Sequence, residues 1–328
     1  MIKRAGQFIQ FLAVAAAGFA VRRLSLKTAQ GLGRSLGRLL KKIDKKHTSL
    51  ARQNMTMSFP EKTAAEIEAY MDGLFENIGM SLMEFLYIPA LKGKKYEGFL
   101  KVEGKELLEQ ARAKGKGVIM IIPHFGNWEL SGLIFPKIVP CMAVAFPQSN
   151  PFTDRLINKY RSLNGLRIVY TGDSVKEILR TLKKNEGVGL LADQDAAFDG
   201  VFVNIFGRLA GTKKGPAVLA MKTGAALLMT FMVRNSDGTH TAVVEKAIEL
   251  DSTGDFEADV KANTRKWASM LESYVRKYPP LWFWVHNRWK SRPEDFKNKG
   301  DKTKGTEPGF CGRRTEDCGQ TTDAQWPL

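Results

Sequence analysis

The stretch GVIMIIPHFGNWE, Gly117 to Glu129, decides how the rest of the chain is read. Its first half is a short, wholly apolar run, the pattern of a strand buried on both faces of a sheet. The preceding Lys114-Gly115-Lys116-Gly117 breaks a helix predicted over 103–114. Further runs of the same kind follow: CMAVAF at 141–146, LRIVY at 166–170, GVGLLAD at 187–193, ALLMTFMV at 226–233 and HTAVVEKAIEL at 240–250. Helical patterns at 152–164, 174–184 and 213–223 separate several of them, and a last helix at 256–278 stops at Pro279-Pro280. Strands alternating with helices predict an α/β fold, with helices flanking a mostly parallel or mixed central sheet.

In such a fold ligand chemistry gathers at the carboxyl ends of strands. The second half of the opening stretch, Pro123-His124-Phe125-Gly126-Asn127-Trp128-Glu129, sits at such an end. His124 and Glu129 are five residues apart, roughly 140° around a continuous helix, so they converge only if the chain turns. Gly126 and Asn127 supply the turn and an N-cap, which puts Glu129 in the first helical turn. A histidine oriented by a carboxylate is a general base for a hydroxyl. A strand-end histidine that merely caps a turn is the competing reading. No serine or cysteine flanks His124 in a nucleophile elbow, which favours direct transfer over a covalent intermediate.

Outward from the site, charge is uneven. The 328 residues carry 50 Lys and Arg against 34 Asp and Glu, a net +16 that calls for an anionic partner. Most of the excess lies in residues 1–50, where Asp44 is the one acid among eleven Lys and Arg. Within them FIQFLAVAAAGFAV, Phe8 to Val21, is bracketed by Lys3/Arg4 and Arg22/Arg23. Fourteen helical residues reach roughly 21 Å, short of a bilayer core, but counting from Ala5 with snorkelling arginines approaches a span. An amphipathic stretch follows, with Leu32, Leu36, Leu39, Leu40 and Ile43 on one side and Arg34, Arg38, Lys41 and Lys42 elsewhere. A membrane anchor is the expectation; a cleaved signal peptide is the rival. The chain divides into this device at 1–50, a body at 51–298 with a further helix at 61–87, and a polar tail at 299–328 expected to be disordered. Three cysteines, Cys141, Cys311 and Cys318, form neither a disulfide framework nor a zinc set.

The blocks around His124 resemble those of the lipid A late acyltransferases, the lauroyl/myristoyl transferase family within the lysophospholipid acyltransferases. HFGNWE is similar to the family's first block, and Asn54 in ARQNMTMSFPE to a segment upstream of it. Arg161 and Gly165 in NKYRSLNG match a second block; Asp193 and Gln194, with Gly200, Phe206, Gly207, Thr212, Gly215 and Pro216, match a third. WFWVHNRWKSRP at 282–293 resembles its C-terminal signature. The likeness runs from about residue 5 to 295, with two departures: Met229 stands where a proline is common, and Asp195 has no counterpart.

The resemblance implies transfer of a fatty acyl chain from an acyl-carrier-protein or coenzyme A thioester to a hydroxyl of a lipid A precursor. His124 and Glu129 would be catalytic, and Gly126, Asn127, Arg161, Asp193 and Gln194 would bind substrate. It implies no metal and no cofactor, an anionic glycolipid acceptor, and a bacterial inner membrane with the catalytic domain on its cytoplasmic face. Arg161 is expected to meet a phosphate or carbonyl oxygen; Asp193 is expected to orient Arg161 or a substrate amide, or simply to order its loop. Gly207, Gly211 and Gly215 with Lys213 and Lys214 suit a phosphate at a helix start. Trp282 to Trp289, around His286, read as an aromatic belt packed at the core edge or at the membrane interface, with Arg288 and Lys290 facing headgroups. The rivals are a related enzyme acting on another glycolipid or aminolipid and, outside enzymes, a basic membrane-surface or nucleic-acid binder; the clustered strand-end polar groups speak against nucleic acid.

Overall fold

The computed structural model describes residues 2–93 and 95–294. The expected tail, with Cys311 and Cys318, lies outside the described residues. The chain opens with helices α1 (Ile2–Val21), α2 (Leu26–Ile43), α3 (Lys45–Ser58) and α4 (Ala64–Tyr87). Then come β1 (Leu100–Glu103), α5 (Lys105–Ala113), β2 (Val118–Ile121), α6 (Ser131–Ile138), β3 (Cys141–Ala145), α7 (Pro151–Arg161), β4 (Arg167–Tyr170), α8 (Ser174–Lys183) and β5 (Gly187–Leu190). A hairpin of β6 (Gly200–Ile205) and β7 (Arg208–Lys213) precedes α9 (Gly215–Thr223), β8 (Ala226–Arg234), β9 (His240–Val244) and α10 (Phe256–Lys277).

The main sheet has seven strands in the order β1-β9-β8-β2-β5-β3-β4, and every pairing is parallel except β8 with β9. The mixed α/β sheet expected from the apolar runs is present. β2 is buried along its whole length because it alternates between two cores. Ile119 and Ile121 face a core built with Met71, Leu74 and Phe75 of α4 and Trp267 and Leu271 of α10. Val118 and Met120 face a second core with Leu108 of α5, Leu133 of α6 and Ile157 of α7. Such alternation onto two covered faces explains why the run is continuous rather than period-two.

Some elements differ from expectation. β1 (LKVE) and β7 (RLAGTK) carry too few apolar residues to announce themselves, β6 (GVFVNI) is an apolar run outside the predicted strands, and the strand in the run at 240–250 ends at Val244. The glycine-spaced stretch expected to cradle a phosphate is in part this hairpin, with Phe206-Gly207 as its two-residue turn and Gly211 inside β7.

The N-terminal helices are docked. Among the described residues one helix, Lys3–Val21, is long and apolar enough to cross a membrane, and little of it is buried. Its inner side rests on the body. Gln7 donates to the Ser149 carbonyl, Asn150 donates to the Gln7 carbonyl, Phe8 meets Phe152 edge-on, and Arg22 bonds the Leu86 carbonyl and the Tyr160 hydroxyl. α2 lies along α4, with much of its expected apolar side left outward, as an interfacial helix would have it. It buries Ala29, Gln30, Gly33 and Gly37, while Leu32, Leu39 and Ile43 are exposed. The reason is space: a Cβ on Gly37 would stand 2.0 Å from the Phe75 carbonyl oxygen, so only glycine permits this approach. Part of the basic side is used internally, Arg38 pairing with Glu76 and Lys41 with Glu68 and Asp72.

Candidate active site

β2 and β5 are parallel neighbours in register, Val118 opposite Gly187 and Ile121 opposite Leu190. Their carboxyl ends therefore emerge side by side, His124 from one and Asp193 from the other. The His124 Nδ1 lies 2.8 Å from Asp193 Oδ1, and the His124 backbone N–H donates to Oδ2 of the same carboxylate at 3.0 Å. Asp193 is 2% exposed and also accepts from Trp282 Nε1 at 2.9 Å. Burial alone would raise its pKa, but the opposing charge of His124 and these hydrogen bonds hold it down at about 2. An ionised Asp193 only accepts, so His124 carries its proton on Nδ1 and presents Nε2 as the basic nitrogen.

Glu129, expected to orient His124, is instead held by Arg161. Two guanidinium nitrogens donate to its two oxygens at 2.8 and 2.5 Å. After Gly126 the chain enters a tight turn over Trp128–Leu130, which carries Glu129 toward the end of α7 rather than back to the imidazole. Burial would lower the Arg161 pKa, but the Glu129 charge and its hydrogen bonds hold it raised. Arg161 is thus oriented by Glu129 and not by Asp193 as expected, while Asp193 bonds the histidine.

Asn127 and Gly126, expected to bind substrate, face inward. Asn127 is 1% exposed and donates to Glu84. Gly126 has φ +60 and passes so close to β8 that a Cβ would lie 1.7 Å from the Met232 carbonyl oxygen. Gln194 does line the same small cavity as His124 and Asp193, together with Asn54, Phe283 and His286.

The back of the site comes from the C-terminal segment. Phe283 N–H donates to the His124 carbonyl, Gly126 N–H donates to the Leu281 carbonyl, and Phe125 bridges Trp282 in antiparallel fashion. Asn54 holds this segment in turn, donating to the carbonyls of Trp284 and His286 at 2.8 and 2.9 Å. Of the two placements expected for the aromatic belt the core one holds, and Arg288 turns inward and not to headgroups. Trp282 and Trp284 are 3% and 1% exposed, and Arg288 is buried, donating to the Gly211 carbonyl and the Thr212 hydroxyl. An indole N–H on a buried carboxylate is a role that the aromatic cluster did not announce, because a tryptophan's donor is silent in a hydropathy pattern. Cys141 begins β3 at the opposite end of the sheet, buried, with its thiol pushed up to about 12 by burial; it is no nucleophile for this site. Among the described residues no cluster of His, Cys, Asp or Glu could hold a metal ion.

An imidazole oriented by a buried carboxylate is an arrangement able to deprotonate a hydroxyl. Sequence comparison supplies the reaction class. Residues 3–291 match the model of the bacterial lipid A biosynthesis acyltransferases. The chain is 27% identical over 265 residues to the lipid A biosynthesis palmitoleoyltransferase of Escherichia coli K12, covering 80% of this chain and 85% of that protein. It is also 27% identical over 266 residues to the lauroyltransferase of the same organism, with 80% and 85% covered. A phosphatidylinositol mannoside acyltransferase of Mycobacterium tuberculosis H37Rv is 27% identical over 246 residues, with 73% and 76% covered. The match spans every element that builds the site: the chain belongs to the bacterial lipid A biosynthesis acyltransferase family.

Proposed function

We propose that this enzyme moves a fatty acyl chain from an acyl-carrier-protein or coenzyme A thioester to a hydroxyl of a lipid A precursor, with His124 as the general base and Asp193 as its orienting partner. The observation that carries the reading is the His124 Nδ1–Asp193 contact at 2.8 Å, with a second bond from the His124 backbone to the same carboxylate. His124 Nε2 takes the proton of the acceptor hydroxyl as its oxygen attacks the thioester carbonyl carbon. The tetrahedral intermediate collapses, the C–S bond breaks, and the imidazolium returns the proton to the departing thiolate. Asp193 keeps the imidazole in the productive tautomer and offsets the imidazolium charge.

The Glu129–Arg161 pair ties the histidine loop to the end of α7, and Arg161 is the residue assigned to drawing an anionic substrate group. The outward Leu32, Leu39 and Ile43 of α2 and Ile9, Leu12 and Phe19 of α1 suit a lipid surface, in keeping with a bilayer-embedded acceptor and the cytoplasmic face of an inner membrane. The likeness to a phosphatidylinositol mannoside acyltransferase makes another glycolipid acceptor the second reading.

The test is transfer from a radiolabelled acyl thioester to a detergent-dispersed lipid A precursor, with phosphatidylinositol mannoside as the alternative acceptor. His124→Ala should lose about 10²–10⁴-fold in turnover while remaining folded by thermal melt. Turnover within about tenfold of wild type, well below that general-base range, removes His124 from the mechanism.

A further inference from the structure

Glu84 of α4 has no solvent exposure, yet five donors converge on its carboxylate. Arg234, the last residue of β8, grips both oxygens through its two terminal nitrogens. Gln30 of α2 donates to Oε1 at 2.7 Å, His240 of β9 donates from Nε2 to Oε2 at 3.1 Å, and Asn127 of the histidine loop donates to Oε2 at 2.7 Å. Burial would raise the Glu84 pKa, but the charges of His240 and Arg234 and their hydrogen bonds hold it below the usual carboxylate range. Burial lowers the pKa of His240 against the pull of Glu84, and Arg234 is the cation paired with the Glu84 carboxylate.

Such a buried pair is weak as a stability device, because desolvating both ions offsets most of their attraction. What this one does is hold the loop. Arg234 Nε also donates to Asn77 Oδ1 at 2.8 Å, and Asn77 in turn reaches the Gly126 carbonyl at 3.4 Å. The two residues between His124 and the Trp128 turn, apart from Phe125, are thereby tied to the end of β8, where Gly126 already touches the Met232 carbonyl. His124 hangs between two clamps, Asp193 with Trp282 on one side and the Glu84 cluster on the other.

We propose that Glu84 and Arg234 are positioning residues for the transfer reaction, acting through Asn127 to fix the loop that carries His124. The inference rests on the reading of His124 as the base. A histidine displaced by about 1 Å costs on the order of 10²-fold in rate without altering ground-state binding. The effect of losing the clamp should therefore appear in kcat and not in KM.

A double-mutant cycle tests it. Asn127→Ala, Glu84→Gln and the double variant are assayed for kcat and KM beside wild type and His124→Ala, each corrected for folded fraction. Asn127→Ala should lower kcat by about 10- to 10²-fold with KM for the thioester and the acceptor within about threefold. In the Glu84→Gln background the same change should cost little more, since residues acting through one another are not additive. A raised KM with kcat intact would place Asn127 against substrate and overturn the proposal. So would a lowered melting temperature with unchanged kcat, or fully additive losses. If Glu84→Gln does not fold, Arg234→Lys, which keeps the cation but loses the two-pronged grip, replaces it in the cycle. An active His124→Ala removes the base assignment and the clamp together; an inactive His124→Ala with an unaffected Asn127→Ala removes the clamp alone.

Discussion

His286 accepts a hydrogen bond on Nε2 from the Asp195 backbone N–H at 3.0 Å, which only a ring unprotonated at that nitrogen can do. Burial pushes its pKa down to about 4. The unfolded chain, with a histidine near 6.5, binds more protons than the folded one between those values. The contribution of His286 to stability is therefore complete above about pH 6.5 and is lost as pH falls toward 4. Melting temperature should decline across that window. In His286→Gln, whose amide oxygen can accept the same bond without titrating, the decline should be shallower, with part kept by His240. Superimposable slopes for the two proteins would refute this. At the Glu129–Arg161 pair, Glu129→Gln leaves the Arg161 guanidinium without its anionic partner, and the Arg161 side chain is about one-fifth exposed. Breaking a fully buried pair costs about 3–5 kcal/mol, so this half-shielded one should lose less, with Glu129→Asp milder still. Chemical denaturation of the three proteins checks the ranking; a Gln variant as stable as wild type contradicts it.

Among the elements, α2 is the most instructive. Its leucines and isoleucine follow a helical stripe, and such a stripe ordinarily turns inward. Here the side of Ala29, Gly33 and Gly37 meets α4 backbone to backbone, Leu36 is half-buried and Leu40 packs against the core, and Leu32, Leu39 and Ile43 are left outside. Two consequences separate cleanly. Gly37→Leu must push α2 off α4, so it should lower the melting temperature. Exchanging Leu32, Leu39 and Ile43 together for glutamate should leave the melt within a few degrees while weakening flotation with anionic vesicles at least about tenfold, since each side chain is worth about 1.5–3 kcal/mol when buried in apolar surroundings. Equal vesicle binding by the triple variant would leave α1 as the sole membrane contact. These substitutions are a cleaner test than deletion of residues 1–24, because α1 also braces Asn150 and Tyr160 and its removal would strip contacts from α7.

For the molecule as a whole, the sheet was legible because a strand buried on both faces writes itself as an unbroken apolar run, as β2 and β8 do. His124 and Asp193 were each legible as polar residues at strand ends. Their pairing was not. It depends on which strands become neighbours, and β5 lies beside β2 only through a crossover that no local pattern records. The inward role of Asn127 is illegible for a similar reason: Glu84, its partner, reads in sequence as an ordinary helix-face acid. The same long-range construction has a consequence in time. Trp282 reaches Asp193 across 89 residues of chain. At a synthesis rate of roughly 5–20 residues per second, Asp193 leaves the ribosome some ~5–20 seconds before the indole that completes its hydrogen bonds. On the proposed mechanism a nascent chain holding all of β2 and β5 is still without a finished base, and the newborn enzyme cannot spend thioester until its own last turn has closed behind the histidine.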